Sequence, residues 1–417
     1  LGNFIESIIG NIESVKEPIH IKLQGKNLII TGRNGSGKTY FLKKIFTELD
    51  ALKKTFGASS IDKLTWRLNM LQEQLHNSHF PPRSSTTSEI ASIESELQAR
   101  LGKLNIYNNL SNEEWSLIHE KKAVLILFEA ERVANISHAD GAKGLESTKN
   151  ANQGFGFESR FGNDLEQHLV NMINRRSYAV ANSEKSDIAN SIDTWLANFD
   201  SNLKLLMEDE STALSFNPDT LKYTIKRDNK PTTDFQSLSS GYSAIFSIFS
   251  ELLMRTEYFD ITPNELRGVV FIDEIESHLH VSLQRLILPF FERSFPSIQF
   301  IITTHSPFVI TSTTDSVIYD LTSNTCIQED VSLYSYTSIL EGLLGTPPRS
   351  LISDNRLSEI VGLLNEPDLN EDKLRFLLKQ MQHSRLMLDK QVKAIHELGL
   401  NILQDKEQSD VQSNSTD

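Results

Sequence analysis

Gly32-Arg33-Asn34-Gly35-Ser36-Gly37-Lys38-Thr39 reads G-x-x-x-x-G-K-T, and this stretch decides the fold. Its glycines let the backbone curl until successive N–H groups face a phosphate chain, and the N-terminus of the following helix faces the same anion. Lys38 is placed to reach the β- and γ-oxygens, and the Thr39 hydroxyl to ligate Mg²⁺. Short strands are expected upstream over Phe4–Ile9, Ile19–Leu23 and Asn27–Thr31, and apolar periodicity predicts a helix from Lys38 to about Leu49. Strand, glycine loop and helix together favour a phosphate site over an ordinary glycine turn.

Two later apolar runs end in groups suited to the same chemistry. Gly268-Val269-Val270-Phe271-Ile272-Asp273-Glu274 is a buried strand delivering two acids to a sheet edge. There Asp273 can hold Mg²⁺ through water and Glu274 can polarise an attacking water; the plain alternative for Glu274 is a salt-bridge partner. Phe300-Ile301-Ile302-Thr303-Thr304-His305 carries a histidine to the edge where a γ-phosphate would sit, so His305 is expected to sense hydrolysis rather than serve a structural role. Between these and the glycine loop, Leu238-Ser239-Ser240-Gly241-Tyr242 opens an apolar helix, Ala244–Met254. Taken singly, Ser239-Ser240-Gly241 is an ordinary helix cap. In this chain order it reads as a second anion site, one that caps the γ-phosphate held by another copy.

Composition narrows the class. The 417 residues are 39% hydrophobic, enough for one large domain with insertions or for two domains. The net charge of −14 disfavours a surface that coats nucleic acid, while leaving room for a local groove. Cys326 is the only cysteine, which excludes an internal disulfide and fits a reducing cytoplasm. Leu1–Gly10 is too short and too acidic at Glu6 for a secretory signal, and no window approaches the roughly 18 apolar residues of a membrane span.

Along the chain the expected organisation is an ATPase lobe with the glycine loop over 1–56, an inserted helical hairpin over 57–118, a strand and helical lobe over 119–234, and a second ATPase lobe over 235–325. A C-terminal helical region for oligomer or partner contacts (326–405) and a disordered tail (406–417) complete it. The hairpin rests on heptad spacing at Ile61, Leu64, Leu68, Leu71 and Leu75, then Ile90, Ile93, Leu97, Leu101 and Leu104 around the breaker His79–Ser85. A short antiparallel coiled coil and a core helix pair both satisfy it. Ala123–Phe128 is a fully buried strand, Ser137–Gly162 a loop, Leu165–Met207 helical, and Ala213–Phe216 with Leu221–Lys226 a hairpin around Asn217-Pro218-Asp219. Gly345-Thr346-Pro347-Pro348 is a linker. A heptad register follows at Leu374, Leu378, Met381, Leu388, Val392 and Ile395, with Arg385 in the seam.

The order of these motifs resembles that of ABC-type P-loop ATPases, and Ile272–His280 with Thr303–Ile310 is similar to the RecF, SMC and OLD branch. The resemblance covers about 1–50 and 235–321 and implies an α/β P-loop head in a head-to-tail dimer sandwiching two ATPs. It implies ATP contacts from Gly32, Asn34, Gly35, Ser36, Gly37, Lys38, Thr39 and Tyr40, with Mg²⁺ held by Thr39 and Asp273. It also implies Ser239, Ser240 and Gly241 as the contact in trans, and Lys38, Glu274 as base and His305 as switch in catalysis. Ser240 stands where many such proteins have glycine and Tyr242 where they have glutamine, and Phe128-Glu129-Ala130-Glu131-Arg132 is the best candidate for the Q-loop.

More narrowly, the hairpin, the phrase Ser332–Gly345 and the helical C-terminus resemble ATPase subunits of bacterial phage-defence systems, the PARIS type (AriA) first and the Septu type (PtuA) second. That implies a cytoplasmic homo-oligomer that senses a phage trigger protein and controls a separate nuclease or toxin subunit. No Arg-x-x-x-x-His pair, HNH-like set or Toprim-like acidic cluster is found in the chain, so a nuclease would be another protein. The alternative is a RecF- or SMC-like DNA repair or chromosome-maintenance ATPase acting on DNA; a transporter motor is disfavoured because the hairpin follows the glycine loop directly.

Overall fold

The computed structural model describes residues 4–13, 15, 17–76, 84–144, 146, 149–150, 159–181, 186–346, 351–366, 369–382 and 390–413. Strands in chain order are β1 (Ser7–Gly10), β2 (Ile19–Lys22), β3 (Asn27–Thr31), β4 (Asn105–Tyr107), β5 (Ala123–Phe128), β6 (Ala213–Asn217), β7 (Lys222–Lys226), β8 (Arg267–Ile272), β9 (Ile298–Thr303), β10 (Ser316–Asp320) and β11 (Thr325–Ile327). The chain divides into two compact units, Leu1–Leu344 and Gly345–Asp417.

The first unit is built on a six-stranded sheet of order β11-β10-β3-β9-β8-β5. It is parallel except for the β10–β11 pair. Every residue of β9 and β10 is buried, which explains their mainly apolar sequences: a parallel strand covered on both faces has no solvent-facing side. Their polar residues include Gln299, Thr303, Ser316 and Asp320, and Gln299 is satisfied. Its amide donates to the carbonyls of Lys26 (2.7 Å) and Ile5 (3.2 Å) and accepts the Ile5 N–H (2.9 Å). Gly268 opens β8 at φ +132°, where a Cβ would lie 1.9 Å from the Val124 carbonyl oxygen. Only glycine lets β8 and β5 pair so closely there.

A smaller antiparallel sheet, β2-β1-β4, buries Ile8, Ile21 and Ile106 with the Lys38–Lys54 helix. β4 lies inside the segment 57–118 expected as an inserted hairpin. Leu104 is buried in this core, and Leu101 is 69% exposed; the apolar spacing continued past the end of the helix at Arg100 and disguised a returning strand as heptad. The hairpin proper is the helix pair Ile61–His76 and Ser84–Arg100, joined through Leu64, Leu68, Leu71, Ile90, Ile93 and Leu97. Arg67 reaches across to Glu89 at 2.9 Å. Most of the expected breaker, residues 79–83, lies outside the described residues; Ser84 and Ser85 begin the second helix.

The expected helical stretch Leu165–Met207 is two helices, Leu165–Ala181 and Ser186–Met207. They pack with the β6–β7 hairpin and the Ser240–Tyr258 helix in one core containing Phe199, Leu203, Tyr223 and Phe249. β11 straddles the expected lobe boundary at 325 and extends the six-stranded sheet. In the second unit, Leu351–Leu364, Glu371–Gln382 and Lys390–Ser413 are helices around Ile360, Leu363, Leu374, Leu378 and Leu403. Leu388 and Arg385 of the expected register lie outside the described residues. The last helix extends to Ser413, into the segment expected as a disordered tail, where Lys406, Glu407 and Gln408 are all good helix formers.

Candidate nucleotide site

β3 ends at Thr31, and the chain turns through Gly32 at φ +140°. A Cβ at Gly32 would meet Ser36 Oγ at 2.8 Å, Thr322 Oγ1 at 3.0 Å and Asp320 Oδ1 at 3.2 Å, so this position needs glycine both for its backbone conformation and for space. Gly37, left-handed at φ 91°, precedes the Lys38–Lys54 helix with no side chain capping it, which leaves the first N–H groups facing the loop. The Lys38 ammonium curls back to donate to the carbonyls of Gly32 (3.1 Å) and Arg33 (3.2 Å). Burial lowers its pKa below the ordinary lysine value, an effect opposed by Glu274, Glu276, Asp273 and Asp320. Ser36 Oγ is buried without a hydrogen-bond partner, an orphan that a phosphate oxygen would satisfy. Asn34 and Tyr40 are exposed.

Because β9 separates β3 from β8 in a parallel sheet, all three carboxyl ends meet at one edge. Asp273, 3% exposed, accepts from Thr39 Oγ1 (3.1 Å) and from Thr303 Oγ1 (2.6 Å) on the same carboxylate oxygen. Glu274 follows at φ +43°, an uncommon conformation for a residue with a side chain. Its N–H donates to Thr303 Oγ1 at 2.7 Å. The His305 N–H donates to Glu276 Oε1 at 2.6 Å, while Glu276 Oε2 is buried without a partner. Burial, then the charge of Lys38, lowers the His305 pKa from 6.5, so a neutral imidazole is favoured at neutral pH.

Thr39 and Asp273 supply the oxygen donors that Mg²⁺ prefers. Among the described residues no group of three or more His, Cys, Asp or Glu could hold a metal ion, so a cation here would share its shell with phosphate oxygens and water rather than sit in an all-protein cage.

The serines expected to form a second anion site lie elsewhere. Ser239 precedes the Ser240–Tyr258 helix without a side-chain cap bond. Together with Ser240, Gly241, His278 and His280 it lines a cavity of about 270 Å³. No residue of 32–39, nor Asp273, Glu274 or His305, belongs to that lining. A Cβ at Gly241 would lie 2.8 Å from the His278 carbonyl oxygen, so close packing on the 276–280 turn requires glycine. The structure thus brings Lys38, Thr39, Asp273, Glu274 and His305 to one edge and leaves Ser239 and Ser240 exposed, with Gly241 buried against the 276–280 turn.

A family model described as "AAA domain, putative AbiEii toxin, Type IV TA system" matches residues 28–311. The chain belongs to that family, an ATPase-domain family. Over 84 residues it is 38% identical to the Retron Ec83 probable ATPase of Escherichia coli, covering 19% of this chain and 16% of that one. Over 141 residues it is 33% identical to the Septu protein PtuA of Bacillus mycoides, covering 33% of this chain and 18% of that one. The chain therefore spans less than a fifth of the length of these relatives. Among solved structures it is similar to an SMC head bound to the C-terminal winged-helix domain of ScpA, with 14% identity and a TM-score of 0.36 over 78% of this chain and 96% of that one. No helix among the described residues is long and apolar enough to cross a membrane.

Sequence reasoning did not single out Thr303, Glu276 or Thr322, and met Arg132 only as the end of the candidate Q-loop. The signal for Thr303 was present: a polar residue closing an otherwise apolar buried strand must find a partner. Thr322 takes the Arg33 N–H at 2.8 Å, and nothing in the local sequence announces that bond.

Proposed function

We propose that this chain binds and hydrolyses ATP with Mg²⁺ at the edge formed by β3, β8 and β9, and that a second copy completes the site. The observation that carries this reading is the convergence of Lys38, Thr39, Asp273, Glu274 and His305 on three neighbouring strand ends. Lys38 balances charge on the β- and γ-phosphates, from the site where it now holds the loop carbonyls. Thr39 and Asp273 would hold Mg²⁺, which supplies charge neutralisation of the phosphate oxygens when bound. Glu274 draws a proton from the attacking water, and neutral His305 hydrogen-bonds the γ-phosphate. The exposure of Ser239 and Ser240 beside the buried Gly241, away from the loop of their own chain, supports their use by a partner copy in a head-to-tail dimer.

The biological reading follows from the relatives. Septu PtuA and the retron ATPase support an ATPase of bacterial anti-phage defence, and we place these two types ahead of the PARIS type within that class. In this role ATP sets when a separate nuclease or toxin subunit is active, in response to a phage trigger, in the cytoplasm. The test is a phage challenge of cells carrying the native operon, with wild-type chain or with Glu274→Gln, alongside affinity purification of the tagged chain. Protection that depends on Glu274, and a second operon protein that co-purifies, are expected. Protection unchanged by Glu274→Gln, or purification as an isolated ATPase, would refute the switching role.

A further inference from the structure

The β8 strand ends at Ile272, and the next three carbonyls, those of Asp273, Glu274 and Ile275, leave the sheet ladder. Arg132 collects all three. One guanidinium nitrogen, Nη1, donates to the Asp273 carbonyl at 2.8 Å; the other, Nη2, donates to those of Glu274 at 3.1 Å and Ile275 at 2.9 Å. Nη1 also reaches the Glu129 carbonyl at 2.9 Å, tying the turn to the segment after β5. The side chain is 8% exposed and, among the described residues, forms no ion pair. A buried cation is costly unless compensated; here backbone carbonyls accept from Nη1 and Nη2, and the charges of Glu276, Asp273 and Glu274 favour the cation against the burial that lowers its pKa. Arg132 thus makes no hydrogen bond to the carboxylates of Asp273, Glu274 or Glu276, although its charge acts on all three without contact. An arginine paired to any one of them would have removed a charge from the site.

We propose that Arg132 is the positioning residue for Glu274: its planar fork fixes the backbone of 273–275 and thereby the direction of the Glu274 carboxylate. This rests on the reading of Glu274 as the base of an ATPase. The left-handed φ of Glu274 is a conformation that persists only where surroundings over-determine it. Thr303 holds that residue's N–H from one side, and Arg132 holds its carbonyl from the other. A lysine could keep the charge but not the three-way fork, since an ammonium is a compact point donor on a flexible stem. Arg132 does not touch the nucleotide loop; it acts through Glu274.

The same segment meets both other parts of the site. Glu129 pairs with Lys43 of the loop helix at 2.6 Å, and the Ala134 N–H donates to Ser243 Oγ of the helix behind Gly241 at 2.9 Å. Arg132 therefore lies where the phosphate loop, the base and the outward-facing serines are mechanically joined.

Arg132→Lys tests this, with kcat and KM for ATP, the Kd of a fluorescent ATP analogue and the melting temperature measured on the full chain. The expected result is a fall in kcat of about 10- to 100-fold, with analogue Kd and KM within about twofold of wild type. In a Glu274→Gln background the same substitution is expected to change residual turnover by less than about twofold, because the two residues act as a unit. In Arg132→Ala, added guanidinium is expected to recover part of kcat and ammonium is not. An unchanged kcat in Arg132→Lys, an equal proportional loss in the Glu274→Gln background, or a loss confined to analogue Kd would each overturn the proposal. A wild-type chain that binds the analogue but never hydrolyses ATP would instead overturn the ATPase reading on which it rests.

Discussion

The Thr303 hydroxyl donates to Asp273 at 2.6 Å across the β8–β9 pair, and the same hydroxyl oxygen accepts the N–H of Glu274 at 2.7 Å. One side chain thus orients both acids of the site. Thr303 is fully buried, so removing its hydroxyl leaves a buried N–H and a buried carboxylate each short of a partner. Thr303→Val, nearly isosteric, is expected to cost about 1–3 kcal/mol of stability and to lower ATP turnover, whereas Thr303→Ser should retain both. Urea denaturation with parallel phosphate-release assays checks this; a valine variant as stable and active as wild type contradicts it.

Lys38 and Glu274 should fail differently. Lys38→Ala removes the cation proposed to meet the phosphates and is expected to abolish nucleotide binding. Glu274→Gln is expected to keep binding but lose the proposed base, so it should accumulate an ATP-bound dimer. Light scattering with and without ATP distinguishes the two, and an equal loss of ATP affinity in both variants would undo the roles.

The proposed sharing of the site between copies makes a complementation experiment decisive. Gly241→Ala places a Cβ 2.8 Å from the His278 carbonyl and should displace the serines beside it. In a two-fold head-to-tail dimer, mixing Lys38→Ala with Gly241→Ala leaves one intact site per mixed dimer. Roughly a quarter of wild-type turnover should return from two nearly inactive proteins. A mixture no more active than its components argues for a site complete within one chain.

His305 should leave a pH signature. Burial and Lys38 hold its folded pKa below 6.5, so between that depressed value and 6.5 the unfolded chain binds more protons than the folded one. The stability linked to His305 is therefore fully present above about pH 6.5 and is lost as pH falls below it. Melting temperatures at about pH 8 and about pH 5.5 should differ less in His305→Gln than in wild type. Equal differences would place the imidazole in an ordinary solvated environment.

Local sequence carried the strands and the phosphate loop well. Ala123–Phe128 is a six-residue strand, and β8 and β9 span the apolar runs ahead of Asp273 and His305, because burial on both faces leaves an unmistakable apolar run. Short elements were harder. β4 has three residues, too few for its alternation to stand apart from the heptad pattern before it, and β11 has three. The candidate Q-loop was legible only as a turn; that Arg132 inside it spans to the Asp273–Ile275 carbonyls was not.

The phosphate loop could be read without a structure because its demands are local: glycines where φ is positive, then a lysine and a hydroxyl at fixed steps along one helix start. The same holds for the apolar strands. Which acids share a hydroxyl, and which arginine holds the base, depended on strand order. Arg132 and Asp273 are 141 residues apart, and Thr303 and Asp273 are 30 apart. Hydrogen bonds are made in space between groups that folding brings together, and a one-dimensional pattern carries no record of them until the β5–β8–β9–β3 order is known. The exposure of Ser239 and Ser240 is likewise a property of the assembled sheet and helices, and it is what supports the proposed use of these serines by a second copy.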